Sequence, residues 1–192
     1  MTSDHDRRLL LRLAREAIAA HVGAAPAHVP GLTGVLAQLG GAFVTLHRDG
    51  DLRGCIGHIE RTLPLGQVVP QCAVAACSTD PRFPPVTAAE LEQIDIEISL
   101  LGPLEPMNGP QDIEIGRHGL IVEQGWQRGL LLPQVATEWN WEAGTFLAQT
   151  CHKAGLPRDA WKQGATLYRF EAEVFGEPRE PGRAGRAGGP GG

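Results

Sequence analysis

The sequence predicts a single globular domain that combines helices with antiparallel β-hairpins. Its 192 residues are 42% hydrophobic and 20% charged, a composition that fits one domain or one domain divided into two lobes. Three segments repeat apolar residues at helical spacing, and two pairs of β-type runs are joined by the turn dipeptides Asp49-Gly50 and Gln124-Gly125. A chain of this length and composition is able to bury a sizeable core.

Charge and cysteine content limit the partners and the compartment. The net charge of −5 and pI near 5.8 disfavour nucleic acid and anionic lipid as partners, because such surfaces depend on an excess of Lys and Arg. No segment approaches the roughly 20 apolar residues of a membrane-spanning helix, and the first ten residues lack the order of a signal peptide. We therefore expect a cytoplasmic protein whose four cysteines are free thiols: Cys55, Cys72, Cys77 and Cys151.

Helices are predicted over residues 4–22, over about 65–77, and from Asn140 onward. Ser3 or Asp4 is the expected cap of the first helix, and Gly23 is expected to end it. Pro70 removes an amide donor from the second helix and should kink it or delay its start. Cys72 and Cys151 lie on apolar helical stripes and are expected to be core residues.

The stretch "DLRGCIGHIE", residues 51–60, forms the second strand of the first predicted hairpin. Strand alternation places Leu52, Gly54 and Ile56 on one face and Arg53, Cys55 and Gly57 on the other. A neighbouring guanidinium favours the thiolate of Cys55, and the two glycines allow another chain or a ligand to approach the backbone. His58 falls on the opposite face unless the strand breaks at Gly57.

Three further segments contribute candidate site residues. The loop "DPRFPP" holds Asp80, Arg82 and Phe83 in directions fixed by its prolines. The strand "IDIEISLL", residues 94–101, places Glu97 on its polar face, where it either serves a proton relay or simply meets solvent. His118 is expected in a loop before the second hairpin, from which it would reach a cleft.

Neither a metal nor a cofactor is predicted. Cys55-x-x-His58 is half of a zinc site, whereas structural zinc requires four ligands. The sequence contains no Walker loop, no dinucleotide-binding glycine pattern and no Gly-x-Ser-x-Gly elbow. Residues 177–192 are rich in Gly, Pro and Arg without core-forming residues and are expected to be a disordered tail.

Several ordered segments resemble the AMMECR1 domain over roughly residues 5–176. They are "LRGCIG", "DPRFPPVTAAEL", "IEISLLGPLEPM", "GRHGLIVEQG", "GLLLPQVATEW", "FLAQTCHKAGLPRDAW" and the closing "LYRFEAEVF". The resemblance implies one domain over 1–176 with an α+β fold, an antiparallel sheet flanked by helices, and two unequal lobes with a cleft between them. It also implies a motif and cleft set consisting of Leu52, Gly54, Ile56, Gly57, Asp80, Arg82, Phe83 and Gln134.

Two hypotheses about function remain open. Prokaryotic members of the family resemble component A of the AmmeMemoRadiSam system, which implies a non-catalytic component acting with a Memo-like protein and a radical-SAM protein. The alternative is a cysteine-dependent enzyme that modifies a small molecule or a protein. In it Cys55 is the nucleophile, Arg53 lowers its pKa, and Glu97 with His58 or His118 handles protons. The incomplete set of catalytic groups slightly favours the first hypothesis.

Overall fold

The computed structural model describes residues 2–26 and 31–178, which form two compact units of different size. Unit 1 comprises Met1–Leu100 and Val174–Gly192, and unit 2 comprises Leu101–Glu173. Both units combine helices with antiparallel strands. The predicted α+β class, with two unequal lobes, is therefore confirmed. The predicted tail lies outside the described residues from residue 179 onward.

Helix α1, Asp4–His21, forms as the sequence predicts. Ser3 and Asp6 make a capping box, in which each side chain accepts a hydrogen bond from the other residue's backbone amide. The apolar stripe of α1, which includes Leu10, Leu13 and Ile18, is buried in the hydrophobic core of unit 1. Gly23 follows the helix with a positive φ of 75°, as expected for the residue that ends it.

The strands of unit 1 begin with the predicted hairpin, β1 (Gly41–Arg48) and β2 (Asp51–His58). Asp49 and Gly50 have φ angles of 54° and 90°, as a two-residue hairpin turn requires. Strand β1 lies between β2 and β3, Ile94–Leu101. The register shifts between Leu46 and His47, which leaves Arg53 as an extra residue in β2.

Helix α2, Leu65–Ser78, packs against both strands of the hairpin. Its buried side includes Val68, Val69 and Cys72, which lie in the same core as α1. The helix begins at Leu65, so of the two effects expected of Pro70, a kink or a delayed start, the delay does not occur. Unit 1 also contains the 3₁₀ helices Gly34–Ala37 and Ala88–Gln93.

Unit 2 contains β4 (Glu105–Pro106), β5 (His118–Gln124), β6 (Gln127–Leu131) and most of β7 (Thr166–Gly176). Strand β5 pairs antiparallel with both β6 and β7, and β4 pairs with β7. The helices are α3 (Pro133–Glu138) and α4 (Ala143–Lys153), with 3₁₀ turns at Pro110–Asp112 and Ala160–Lys162. None of the described helices is both long and apolar enough to span a membrane.

The helices of unit 2 differ from the sequence prediction. Helix α3 was not predicted, because its six residues directly follow the apolar run that forms β6. Helix α4 begins at Ala143 with Glu142 as its cap residue, not at Asn140. Asn140 instead has a positive φ of 50°, a conformation that asparagine tolerates better than most residues.

Candidate functional site

Cys55 occupies the centre of β2, directly opposite Thr45 of β1. The Thr45 hydroxyl donates a hydrogen bond to the Cys55 Sγ over 3.3 Å. Cys55 is partly exposed, whereas the other three cysteines are buried. Cys55 is thus the one cysteine of the four with part of its surface exposed, at the position that the sequence singled out.

The outer edge of β2 is held at Cys55 by two side chains from the loop after α2. The Cys55 amide donates to Asp80 Oδ2 over 2.9 Å, and Arg82 Nη2 donates to the Cys55 carbonyl oxygen over 3.3 Å. Since β2 pairs with β1 alone among the described strands, these side chains satisfy groups that a second neighbouring strand would otherwise bind. Asp80 and Arg82 therefore fix the backbone beneath the thiol.

Asp80 is a buried carboxylate that accepts several hydrogen bonds. Its side chain is 2% exposed, and Arg82 binds both oxygens, with Nε 2.9 Å from Oδ1 and Nη2 2.7 Å from Oδ2. The Arg82 guanidinium, together with the amides of Cys55 and Arg82, holds the pKa of Asp80 well below its usual range. The carboxylate is thus an ionised structural anchor at neutral pH.

Arg53 does not face the thiol as the alternation predicted. Its guanidinium contacts Glu90, with Nε 3.2 Å from Oε1, and donates to the carbonyl oxygen of Pro84 over 2.9 Å. Glu90 also accepts from the Thr87 amide and from Arg53, and these bonds lower its pKa. Within the described chain, no hydrogen bond or ion pair joins Arg53 to Cys55. The physical reason is the bulge, which places Arg53 out of register with β1.

The other three thiols are poor nucleophiles. Burial raises the pKa of Cys72 to about 11. Burial also raises the pKa values of Cys77 and Cys151. Because the thiolate is the reactive form, these cysteines are expected to react slowly near neutral pH.

Both glycines of the motif lie at close contacts, but only Gly54 meets backbone, as was predicted for both. A Cβ on Gly54 would collide with the carbonyl oxygen of Ala76 in α2, and one on Gly57 would collide with the Phe43 ring. Neither residue has a positive φ. The glycines are therefore explained by packing, and Gly54 allows β2 and α2 to approach closely.

The remaining predicted residues of unit 1 are more scattered. His58 pairs with Ala42 in the hairpin, its Nδ1 lies 3.6 Å from a Glu60 carboxylate oxygen, and its Nε2 is buried without a hydrogen bond to the described residues. Glu97 is partly buried on β3. The others lie on or near β2: Leu52 is exposed, Ile56 is partly buried, and the Phe83 ring lies 5.4 Å from the Arg82 guanidinium carbon.

Two predicted site residues belong to unit 2. His118 was expected in a loop but is the first residue of β5 and is buried, with Nδ1 accepting the Glu114 amide over 2.9 Å. Burial, with help from Arg169 and Arg117, lowers its pKa, so the imidazole is neutral at pH 7. Gln134 is partly exposed in α3.

Sequence reasoning missed two residues of the site. Thr45 binds the thiol, and its position opposite Cys55 follows from the hairpin register, which the turn at Asp49-Gly50 and the bulge set together. Glu90 binds Arg53 from 37 residues away. The local signal for Glu90 is the Thr87-x-x-Glu90 capping box, which marks a helix start but not a contact with Arg53.

These features define a class of protein: an α+β chain whose hairpin carries a Leu-Arg-Gly-Cys-Ile-Gly strand anchored by a buried aspartate–arginine pair. The chain belongs to the AMMECR1 family, whose sequence profile matches residues 11–175.

Relatives of known sequence and structure agree with this assignment. A protein of Methanothermobacter thermautotrophicus is 48% identical over 184 residues, which cover 91% of this chain and 96% of the relative. Protein MJ0810 of Methanocaldococcus jannaschii is 49% identical over 71% of this chain and 73% of its own length. The crystal structure of the uncharacterized protein PH0010 from Pyrococcus horikoshii matches with a TM-score of 0.84 and 41% identity, covering 91% of this chain and 93% of that one.

Proposed function

We propose that this protein is a non-catalytic component that acts with a Memo-like protein and a radical-SAM protein. The observation that carries the non-catalytic role is the binding of Arg53 to Glu90 and to the Pro84 carbonyl oxygen. The guanidinium that the catalytic hypothesis assigns to the thiol is bound instead by a carboxylate and a backbone carbonyl oxygen. The choice of partners rests on the family to which the chain belongs.

The other contacts of the motif also support an architectural role. Gly54 packs against α2, the Cys55 amide and carbonyl bind Asp80 and Arg82, and the Cys55 thiol accepts a hydrogen bond from Thr45. The bonds to Asp80 and Arg82 position backbone, the Thr45 bond holds the sulfur, and none of these contacts aligns a base with the sulfur. A rigid surface built in this way suits a protein that positions a partner.

Native co-purification tests this proposal. The protein is tagged at its own chromosomal locus, isolated from its own cells under native conditions, and the bound proteins are quantified by mass spectrometry. We expect enrichment of the Memo-like and radical-SAM proteins over an untagged strain, both with the wild type and with Cys55→Ser. Recovery of the tagged protein with neither partner enriched would contradict the proposal.

A second candidate function, cysteine-dependent catalysis, is favoured by the accessibility of Cys55. In that mechanism Cys55 attacks an electrophilic substrate, Arg53 stabilises the thiolate, and Glu97 with His58 or His118 handles protons. Limited iodoacetamide labelling with mass-spectrometric mapping distinguishes the two candidates. An enzyme of this kind requires Cys55 to react before Cys72, and Arg53→Ala to slow its reaction in the folded protein. The architectural proposal requires Arg53→Ala to leave the labelling rate of Cys55 unchanged.

A further inference from the structure

Two tryptophans of unit 2 form an exposed stacked pair. The Trp139 and Trp141 rings lie 6.0 Å apart between centroids with an interplanar angle of 20°. Trp141 is partly buried against the hydrophobic core of unit 2, whereas Trp139 is 68% exposed. The pair therefore presents one flat aromatic face to solvent from an anchored base.

The backbone around the pair is fixed by local hydrogen bonds. The Trp139 amide donates to the Val135 carbonyl over 3.1 Å, and the Trp141 amide donates to the Ala136 carbonyl over 2.8 Å. Asn140 between them adopts a positive φ of 50° and donates its amide to the Thr137 carbonyl. A ligand binding to this face would immobilise little additional backbone, which lowers the entropic cost of binding.

Carboxylates flank the tryptophans on both sides in the chain. Glu138 is the last residue of α3 and Glu142 is the cap residue before α4, and both are exposed. The Glu142 side chain makes no capping hydrogen bond. Neither carboxylate has an ion-pair partner within residues 2–26 and 31–178. Two uncompensated negative charges that adjoin the tryptophans in the chain attract a cation to this region more strongly than the rings alone do.

We propose that Trp139 and Trp141, with Glu138 and Glu142, form a docking surface for an arginine-bearing segment of a partner protein. A guanidinium is planar, stacks on an aromatic face and pairs with carboxylates through its N–H groups, so it matches both features of the surface. Unit 2 already contains a contact of this kind, in which the Lys162 ammonium lies 4.9 Å from the centre of the Trp161 ring. The inference does not depend on the partnership proposed above.

The chain also supplies a matched control. Trp126 is 92% exposed at the turn between β5 and β6, but its neighbours are Gly125 and Gln127. It offers an indole face of the same chemistry without adjacent carboxylates. Trp126 is therefore expected to bind a guanidinium more weakly than the Trp139 face does.

The test adds a synthetic peptide, acetyl-Gly-Arg-Gly-Gly-Arg-Gly-amide, to the full chain. NMR follows the four tryptophan indole N–H signals as the peptide concentration rises. We expect the signals of Trp139 and Trp141 to shift with saturation, while that of Trp126 does not. Trp139→Ala should abolish the saturable shift of the Trp141 signal. The double variant Glu138→Gln/Glu142→Gln, which keeps side-chain size, should raise the Kd by about threefold to tenfold. Trp126→Ala should leave the Kd unchanged.

Peptides with arginine replaced by citrulline or lysine define the chemistry. Equal binding of the citrulline peptide, or equal or tighter binding of the lysine peptide, overturns the assignment to arginine. The absence of a Trp139 shift with the arginine peptide overturns the site itself.

Replacing Arg179, Arg183 and Arg186 of the full chain by Gln tests whether the chain itself occupies the surface. A shift of the Trp139 signal in that variant, without added peptide, overturns the assignment to a partner.

Discussion

Among single residues, Asp80 joins the motif to the loop that follows α2. Its carboxylate accepts hydrogen bonds from the Cys55 amide, the Arg82 amide and the Arg82 guanidinium. These bonds join the edge of β2 to the proline-rich loop that follows α2. One buried charge thus positions the segment of β2 that carries Cys55.

Replacement of Asp80 by Asn tests this role. The amide keeps the shape but removes the charge and offers one acceptor oxygen in place of two, so donors from Arg82 or Cys55 lose their partner. We expect the free energy of unfolding, measured by urea denaturation, to fall by about 1–3 kcal/mol. Asp51→Asn, the same change at an exposed position of β2, should lie within about 0.5 kcal/mol of wild type. Equal effects of the two substitutions would contradict the anchoring role.

Part of this arrangement was predictable from the sequence. The hairpin turn and the alternation correctly separated Gly54 and Ile56 from Cys55, because period-two geometry is local. The direction of Arg53 was not predictable, because it depends on a bulge and on Glu90, which lies 37 residues away. The hydrogen bond between Asp80 and Cys55 crosses 25 residues, and no local pattern encodes it.

The contact between β2 and α2 depends on the missing side chain at Gly54. Backbone of the helix occupies the space where a Cβ would lie, so an alanine there forces the two elements apart. We expect Gly54→Ala to lower the free energy of unfolding in urea by about 1–3 kcal/mol.

Gly144→Ala is the matched control for this substitution. Gly144 lies in α4 with open space around its α-carbon and without a positive φ. The change should stabilise the protein by about 0.5–1 kcal/mol, because alanine favours the helix. A neutral Gly54→Ala would show that β2 and α2 adjust without strain.

The elements differ in how well the sequence predicted them. Helix α1 and the first hairpin carry a cap, a long apolar stripe and a turn dipeptide, so several local signals agree. Helix α3 spans only six residues from Pro133 and carries too little periodicity to separate it from the preceding strand. Asparagine commonly caps helices, but Asn140 instead adopts the left-handed conformation, which asparagine also tolerates.

Across the whole molecule, contacts distant in sequence close each unit. Arg15 of α1 binds Glu177 through its Nε over 2.6 Å, and a Glu177 oxygen also accepts the Ile96 amide over 3.0 Å. Glu177 is the first residue of the predicted tail, yet both contacts hold it within unit 1. Composition predicted a polar terminus there, but composition carries no information about a partner 162 residues away in sequence.

The molecule should lose stability in acid in two stages, because the pKa values of His118, Asp80 and Glu90 lie below their ordinary ones. His118, in unit 2, is neutral in the fold, so stability is lost as the pH falls below about 6.5 and the unfolded chain binds a proton. Asp80 and Glu90, in unit 1, are ionised in the fold, so their contribution is complete above about 4.5 and is lost below it. Urea denaturation followed by circular dichroism across this range should show both stages. His118→Gln should flatten the upper stage alone, and Asp80→Asn should flatten the lower stage alone. A wild-type free energy of unfolding that stays level from pH 7 to 5 would contradict the role given to His118.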